Sequence, residues 1–239
     1  MEESDFNEKI LVEIDSHTGY NKWIYANISE YIGERIFEVG CGIGNITQFL
    51  KEKEYILCLD RSQGMIKRTK KNFSENKNIS FLKKDLLDVD AAFLSQEKFD
   101  TVLCINVLEH ILDDERALKK MHEIVAPGGN LVLLVPAIKS LYGESDKSLS
   151  HHRRYTKKEL LHKVKSQGFV PQKIFYMNLL GVFGWLINGR ILKRKSPSRT
   201  SLKIFAKIEP ILVRLEKAIS IPFGLSLICV GEKPKNNIL

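Results

Sequence analysis

Short apolar runs alternate with amphipathic stretches along most of the chain. Apolar positions at helical spacing predict a first helix over residues 20–32. Further helices are predicted after Gly44, after Ser62 and before Pro127. The continuous apolar run over residues 55–59 is typical of a strand that is buried on both faces. We predict strands over residues 35–40, 55–59, 79–82, 99–105, 130–135, 169–177 and 225–230.

Strands that alternate with helices predict an α/β fold with a doubly wound, mostly parallel sheet and right-handed crossovers. Ligands of such sheets bind beyond the carboxyl ends of the strands. Asp60, Asp85 and Asn106 each follow a predicted strand, and a glycine-rich loop follows the first one. The sequence therefore predicts a ligand site along this edge of the sheet.

Charge is concentrated in one part of the chain. The net charge is +8, and residues 178–222 carry nine Lys or Arg against two Glu, which leaves about +1 for the rest. This pattern favours a local anionic partner. Four cysteines lie far apart in apolar runs, which is typical of a reducing compartment. Without an evident signal peptide or an apolar run of spanning length, we expect a cytoplasmic protein.

The glycine loop has the spacing Gly40-x-Gly42-x-Gly44, which differs from the G-x-G-x-x-G of dinucleotide-binding proteins. Glu38 precedes the loop, and its carboxylate would repel a pyrophosphate but attract a cationic cofactor. Asp60 lies twenty residues after Gly40, where a carboxylate can bind ribose hydroxyls. The spacing thus favours a cationic nucleoside cofactor.

The stretch 38–45 resembles the first motif of class I S-adenosylmethionine-dependent methyltransferases. Later matches at Asp60, Asp85, Asn106 and Pro127 follow in the family's order and extend the resemblance to about residues 35–137. The resemblance implies a seven-stranded sheet of order 3-2-1-4-5-7-6 with an antiparallel last strand, and S-adenosylmethionine as cofactor with S-adenosylhomocysteine as product. It implies these cofactor-binding residues: Tyr20, Glu38, Gly40, Gly42, Asp60, Arg61, Met65, Asp85, Leu86, Asn106 and Val107.

A second group of candidates follows the fifth strand. The segment 151–155 resembles one found in methyltransferases that accompany glycosyltransferases of surface-polysaccharide and lipid pathways. Arg153 and Arg154 could clamp a phosphate, and His151 or His152 could remove a proton from the acceptor. Tyr155 is a third catalytic candidate, and His110 is a substrate-binding candidate. The alternative is a solvated basic loop in which one arginine pairs with Glu144 or Asp146.

No metal site is expected, because adjacent histidines in an extended chain point apart and no third ligand is evident. We expect one methyltransferase domain over residues 1–239. Its parts are an N-terminal helical cap (1–33), a cofactor-binding core (34–137), a substrate loop (138–156) and a basic amphipathic helical insertion between strands six and seven (178–222).

The insertion has three interpretations. It could be a lid over an apolar substrate, an element that contacts an anionic membrane surface through Phe183 and Trp185, or an ordinary helical subdomain. The sequence predicts a second helix in it, whose apolar face contains Ile208, Ile211, Leu212, Leu215 and Ile219. We expect no nucleic-acid binding, because the positive charge is confined to this insertion. Nothing in the sequence sets the oligomeric state.

The function predicted from the sequence is methyl transfer to an oxygen or nitrogen of a small-molecule, sugar or lipid-linked acceptor, preferably an anionic one. Two alternatives remain open. A non-catalytic S-adenosylmethionine-binding scaffold is compatible with every motif above. A nicotinamide-dependent oxidoreductase is disfavoured by the glycine spacing and by the lack of a Tyr-x-x-x-Lys pair.

Overall fold

The computed structural model describes residues 18–187, 213, 216, 219 and 221–235. The predictions for residues 1–17, for the basic run 193–195 and for most of the second insertion helix lie outside the described residues. The strands are β1 (Arg35–Val39), β2 (Tyr55–Asp60), β3 (Ile79–Lys83), β4 (Thr101–Ile105), β5 (Asn130–Pro136), β6 (Val170–Met177) and β7 (Ser226–Glu232). The α-helices are α1 (Thr18–Ile28), α2 (Gln63–Asn72), α3 (Ala91–Ser95), α4 (Asp114–Ile124), α5 (Glu144–Ser148), α6 (Lys157–Ser166) and α7 (Leu179–Trp185).

The seven strands form one sheet in the order β3-β2-β1-β4-β5-β7-β6. All neighbouring pairs are parallel except those that β7 makes with β5 and β6. This architecture confirms the fold class predicted from the sequence. Ser226 at the start of β7 pairs with Pro136 at the end of β5 and with Met177 at the end of β6. The start of β7 therefore shares one edge with the carboxyl ends of the parallel strands.

The central strands are buried on both faces of the sheet. Ile36 and Phe37 are both fully buried, and they belong to two separate apolar clusters. Val102 and Leu103 of β4 divide between the same two clusters. Because successive strand residues point to opposite faces, a strand covered on both sides needs an unbroken apolar run. This explains the runs seen in the sequence.

The predicted helix after Gly44 is wrong. The chain instead forms turns and a short 3-10 helix, Thr47–Phe49, before β2. Thr47 is fully buried, and its hydroxyl donates to Glu38 Oε2 at 2.6 Å. This hydrogen bond holds the segment close beneath the glycine loop, and the short connection to β2 ends before a regular helix develops. Leu50 is buried as the pattern predicted.

Local signals set the limits of other helices as predicted. The Ser62 hydroxyl accepts from the Met65 backbone N–H and caps α2. Thr156 and Glu159 form a capping box at the start of α6. The predicted helix over residues 20–32 is α1 followed by a 3-10 turn, Ser29–Tyr31. In the described part of the chain, no helix combines the length and the hydropathy that crossing a bilayer requires.

Candidate cofactor and acceptor site

The glycine loop after β1 is held against the end of β2. The backbone N–H groups of Gly40 and Cys41 donate to the Leu59 carbonyl at 2.7 and 3.0 Å. Gly40 and Gly42 have φ of +71° and +55°, a region that glycine adopts without strain. A Cβ at Gly40 would collide with Val107, whereas a Cβ at Gly42 would project into open space. Gly42 thus borders a space that a ligand can enter.

Asp60 links the glycine loop to the loop after β2. Its Oδ2 accepts from the Gly42 backbone N–H at 2.9 Å, and its Oδ1 accepts from the Ser62 backbone N–H at 2.8 Å. Burial raises the pKa of this carboxyl above its usual range, and the two backbone donors act in the opposite direction. Each carboxylate oxygen has a second lone pair. Asp60 can therefore position the loop and accept from a ribose hydroxyl at the same time.

Glu38 lies beneath the loop and is only 4% exposed. Its Oε2 accepts from the Thr47 hydroxyl and from the more distant Cys58 thiol. Burial raises the pKa of Glu38 to about 7. A cation bound above the loop would favour the ionised form of this carboxyl. The position suits a positively charged cofactor better than a phosphate.

Asp85 and Asn106 mark the ends of β3 and β4 on the same edge. Asp85 accepts from the Leu87 backbone N–H at 2.9 Å and caps the turn that follows. Asn106 is exposed and has φ of +54°, and its backbone N–H donates to the Leu134 carbonyl. The sequence placed both residues at this edge, and the structure brings them there.

Left-handed backbone is concentrated at this edge. Among the described residues, Asn106, Ile138, Ser150 and Asn178 have positive φ, and Lys98 is the remaining non-glycine case. Asn106, Ile138 and Asn178 lie at or just beyond the ends of β4, β5 and β6, and Ser150 precedes His151. Such strain accumulates at functional sites. A β-branched residue such as Ile138 adopts this region only under constraint.

Tyr20 reaches the same edge from α1. Its hydroxyl lies 3.4 Å from Ser226 Oγ, and burial raises its pKa. The other predicted cofactor residues differ in exposure. Arg61 is exposed, Val107 is half-buried against Gly40, Met65 is buried, and Leu86 is buried within a core cluster.

The substrate loop forms the predicted acceptor side of the edge, which is built around Asp146 of α5. Asp146 Oδ1 lies 3.0 Å from His151 Nδ1 and accepts from Arg154 Nε at 2.8 Å. The guanidinium of Arg154 also donates to the Ala137 carbonyl and lies 4.7 Å from the centre of the Trp185 ring. Trp185 belongs to α7, so the described part of the insertion packs on this side of the site.

The predicted arginine clamp does not form. Arg154 is 2% exposed and is engaged by Asp146 and a backbone carbonyl. Arg153 pairs with Asp114 Oδ2 at 2.9 Å and donates to the Leu112 carbonyl. Both guanidinium groups are therefore used within the protein. The interpretation that pairs one arginine with Asp146 fits Arg154, although that pair is buried and not solvated.

Tyr155 is fully buried, and its hydroxyl donates to Asp114 Oδ2 at 2.9 Å. Burial raises its pKa well above the usual range. This placement makes Tyr155 a structural residue of the core and corrects its assignment to catalysis. His152 is exposed, and its backbone N–H donates to the Glu109 carbonyl at 2.8 Å.

Glu109 is the residue that the sequence interpretation missed. It is 1% exposed, and among the described residues neither carboxylate oxygen has a hydrogen-bond partner. Burial raises its pKa to about 7. His110 follows it and packs edge-on against the His151 ring, with 4.7 Å between ring centres. Burial and the nearby His151 lower the pKa of His110 to about 4.

Comparison with known proteins shows similarity to methyltransferases. A family model described as a methyltransferase domain matches residues 37–131. The ubiquinone biosynthesis O-methyltransferase of Coxiella burnetii is 28% identical over 100 residues, which cover 41% of this chain and 42% of that protein. The demethylmenaquinone methyltransferase of Staphylococcus epidermidis is 25% identical over 142 residues, 55% of this chain and 58% of that protein. The match thus spans less than half of the length of the Coxiella relative.

Among solved structures, the N-methyltransferase NodS of Bradyrhizobium japonicum in complex with S-adenosyl-L-homocysteine is similar with a TM-score of 0.57. It is 16% identical, and the match covers 89% of this chain and 84% of NodS. Together the findings confirm the predicted fold, and the match to the methyltransferase-domain model lies within the predicted cofactor-binding core, residues 34–137. The narrower subgroup associated with glycosyltransferases stays a prediction.

Proposed function

From the premise that this chain has the class I S-adenosylmethionine-dependent methyltransferase fold, we propose that it transfers a methyl group from S-adenosylmethionine to an oxygen or nitrogen of a small-molecule acceptor. The observation that carries the proposal is the open space at Gly42, with Asp60 hydrogen-bonded to the same residue. Asp85 and Asn106 follow neighbouring strands on that edge. Buried Glu38 supplies the negative charge that suits a sulfonium.

Each of these residues has a separate role in the proposal. The loop backbone at Gly40 and Gly42 receives the methionine part, Asp60 binds the ribose, and Asp85 binds the adenine. The methyl group leaves the sulfonium by in-line displacement, so the protein contributes mainly by aligning donor and acceptor. The bond between the sulfonium sulfur and the methyl carbon breaks as the acceptor oxygen or nitrogen bonds to that carbon. The sulfonium becomes a neutral thioether, and the proton of the acceptor passes to water or to a histidine of the substrate loop.

The acceptor binds on the side formed by the substrate loop, residues 138–156, and by α7. Glu109, His110 and His151 are the polar groups there that face one another. Phe183 and Leu180 of α7 have exposed apolar side chains, which support an apolar or lipid-linked acceptor. Arg153 and Arg154 are paired within the protein. An anionic acceptor is therefore supported only by the positive charge of the basic insertion, residues 178–222.

The domain organisation is part of the same proposal. One methyltransferase domain would carry an N-terminal helical cap, a cofactor core and an insertion that acts as a lid or a membrane contact. The names of the two relatives, a ubiquinone biosynthesis O-methyltransferase and a demethylmenaquinone methyltransferase, support a small apolar acceptor related to quinones. A location in the cytoplasm or at the inner surface of a membrane follows from that acceptor class.

An extract methylation assay tests the proposal. The full chain is incubated with methyl-labelled S-adenosylmethionine and cell extract, and the products are partitioned between an organic and an aqueous phase. We expect stoichiometric S-adenosylhomocysteine and label in the organic phase. Label confined to the aqueous phase would exclude the lipid-linked acceptor. Cofactor binding without any turnover would favour the scaffold.

The oxidoreductase alternative makes a different prediction. The antiparallel β7 between β5 and β6 departs from the parallel strand order of dinucleotide-binding sheets. We therefore expect no oxidation of NADH or NADPH by the chain. The same extract assayed with NADH and NADPH in place of the methyl donor provides the comparison.

A further inference from the structure

Three potential metal ligands converge from two separate segments. Glu109 and His110 lie in the 3-10 turn Leu108–His110 after β4, and His151 lies near the end of the substrate loop. One ligand atom from each of the three lies within 4.8 Å of the others. This set of three ligands differs from the sequence analysis, which considered only the adjacent His151 and His152. The turn after β4 supplies the second histidine and the carboxylate.

The carboxylate of Glu109 needs a positive partner. It is 1% exposed, and among the residues that the structure describes neither oxygen accepts a hydrogen bond. Burying a carboxylate without such partners is costly, and buried charges are either paired or bound to metals. The nearby Arg154 is already held by Asp146 and the Ala137 carbonyl. Among the described residues, the ionisable nitrogen that pairs with this carboxylate is His151 Nε2, at 3.9 Å from Glu109 Oε1.

His151 is held in the orientation of a metal ligand. Asp146 Oδ1 lies 3.0 Å from its Nδ1, which leaves Nε2 directed toward Glu109. Arg154 in turn fixes Asp146. Histidines that bind metals commonly donate their other ring N–H to a carboxylate in this way, which fixes the tautomer. The His110 ring packs edge-on against the His151 ring, so the two imidazoles are held beside each other.

We propose that Glu109, His110 and His151 bind one divalent transition-metal ion, with Asp146 as the residue that orients His151. Two imidazoles and one carboxylate suit Zn²⁺, and also Mn²⁺, Fe²⁺ or Co²⁺. Ligands of a tetrahedral Zn²⁺ lie about 3.4 Å apart, so the side chains would close in by roughly 1 Å. The sequence predicted no metal, because the third ligand was not evident.

The proposed ion has a role in acceptor binding, and this part rests on the proposed function. Three protein ligands leave at least one coordination position open, as in catalytic zinc sites. The open position lies on the acceptor side of the edge, where an acceptor oxygen could bind the ion. The ion would hold this oxygen in place for the incoming methyl group.

Metal titration of the full chain tests the site directly. The protein is treated with a chelator, dialysed, and titrated with Zn²⁺ by calorimetry and with Co²⁺ by visible absorption. We expect one ion per chain and a Co²⁺ spectrum of a four- or five-coordinate site. Glu109→Gln, His110→Gln and His151→Gln should each weaken the affinity at least 100-fold. His152→Gln is the matched control and should bind like the wild type.

Binding of S-adenosylhomocysteine and the melting temperature show that each variant is folded. Folded wild-type protein that binds no ion would overturn the metal site, and so would folded ligand variants that bind as tightly as the His152→Gln control. Neither result depends on methyl transfer. A chain that binds the ion but transfers no methyl group would leave the metal site standing and remove only its role in acceptor binding.

Discussion

The cofactor side and the acceptor side of the same sheet edge are built by different kinds of contact. On the cofactor side, the Asp60 carboxylate accepts from the backbone N–H groups of Gly42 and Ser62. On the acceptor side, buried side chains bond to one another, as Arg154 does with Asp146 and Tyr155 does with Asp114. Sequence motifs predict the contacts with backbone groups, whereas the contacts between buried side chains are visible only in the structure.

The difference extends to what the charged residues do. Asp60 is hydrogen-bonded to Gly42, which borders an open space where a ligand can use its charge, and Glu38 lies buried beneath the same loop. Arg153 and Arg154 resemble ligand-binding residues in the sequence, but the fold uses their charge to pair with Asp114 and Asp146. Four sets of variants test this contrast, and they follow in order of expected effect.

Removal of the buried arginine should give the largest effect. Arg154→Met leaves the fully buried Asp146 with His151 and the Gly143 backbone N–H as partners but without a permanent positive charge, and we expect a loss of about 3–5 kcal/mol in the free energy of unfolding. Arg153→Met is the control. Asp114 keeps Lys163 as a partner there, so the loss should be about 1 kcal/mol or less. Denaturant unfolding measures both, and equal losses would contradict the contrast.

The two glycines of the loop should respond differently to the same change. Gly40→Ala forces a positive φ on alanine and drives a methyl group into Val107, so we expect a loss of roughly 3 kcal/mol in unfolding free energy. Gly42→Ala has no such collision, so it should lose only the roughly 1–2 kcal/mol in unfolding free energy that a positive φ costs alanine. Its methyl group enters the cofactor space, so the affinity for S-adenosylhomocysteine should fall at least tenfold. Unchanged affinity in Gly42→Ala would show that the ligand binds elsewhere.

Cofactor binding should depend on pH through Glu38. Burial raises the pKa of this carboxyl from 4.5 to about 7, so its ionisation destabilises the free protein as the pH rises through about 7. A bound sulfonium favours the ionised form. The affinity for S-adenosylmethionine should therefore increase up to about tenfold per pH unit below pH 7 and then level off.

Neutral S-adenosylhomocysteine supplies the control for this pH dependence. Its affinity should change much less over the same pH range. In Glu38→Gln, the affinities for the two ligands should show the same pH dependence. Calorimetric titrations at several pH values measure these affinities. Parallel pH profiles for both ligands in the wild-type protein would exclude Glu38 as the group that titrates.

Removing the hydrogen bond between Thr47 and Glu38 should cause a smaller effect, a shift of the pH at which the cofactor affinity levels off. The Thr47 hydroxyl donates to Glu38 and lowers the pKa of that carboxyl. Thr47→Val removes the donor with little change of volume, so the pH at which the affinity levels off should move upward by up to about one unit. Thr156→Ala at the start of α6 is a distant control and should leave this profile in place. A downward shift in Thr47→Val would contradict the assignment.

Most of the fold could be predicted because its signals are local. The apolar runs, the Ser62 cap and the capping box at Thr156 depend on residues within one or two turns, and the structure has all of them. The helix predicted after Gly44 failed because the pattern could not reveal that buried Thr47 bonds to Glu38. A tertiary contact overrode the local preference there.

The candidate site, like the fold, was predictable only where its signals are local or follow from the strand order. Strand ends placed Asp60, Asp85 and Asn106 correctly along the edge, since topology alone sets those positions. The partners of Arg153, Arg154 and Tyr155 depend on the path of the substrate loop, which no pattern in the sequence encodes. Glu109 carried a signal in its place beside His110 after β4, but its burial without a partner is visible only in the structure.

The central claim is that this edge binds S-adenosylmethionine, and equilibrium titration tests it most directly. The full chain is titrated with S-adenosylhomocysteine and, separately, with NADH, and Gly42→Val is titrated in parallel. The account predicts one S-adenosylhomocysteine per chain, loss of that binding in a folded Gly42→Val variant, and no NADH binding. Binding of NADH in place of S-adenosylhomocysteine, or S-adenosylhomocysteine binding that Gly42→Val leaves intact, would contradict it.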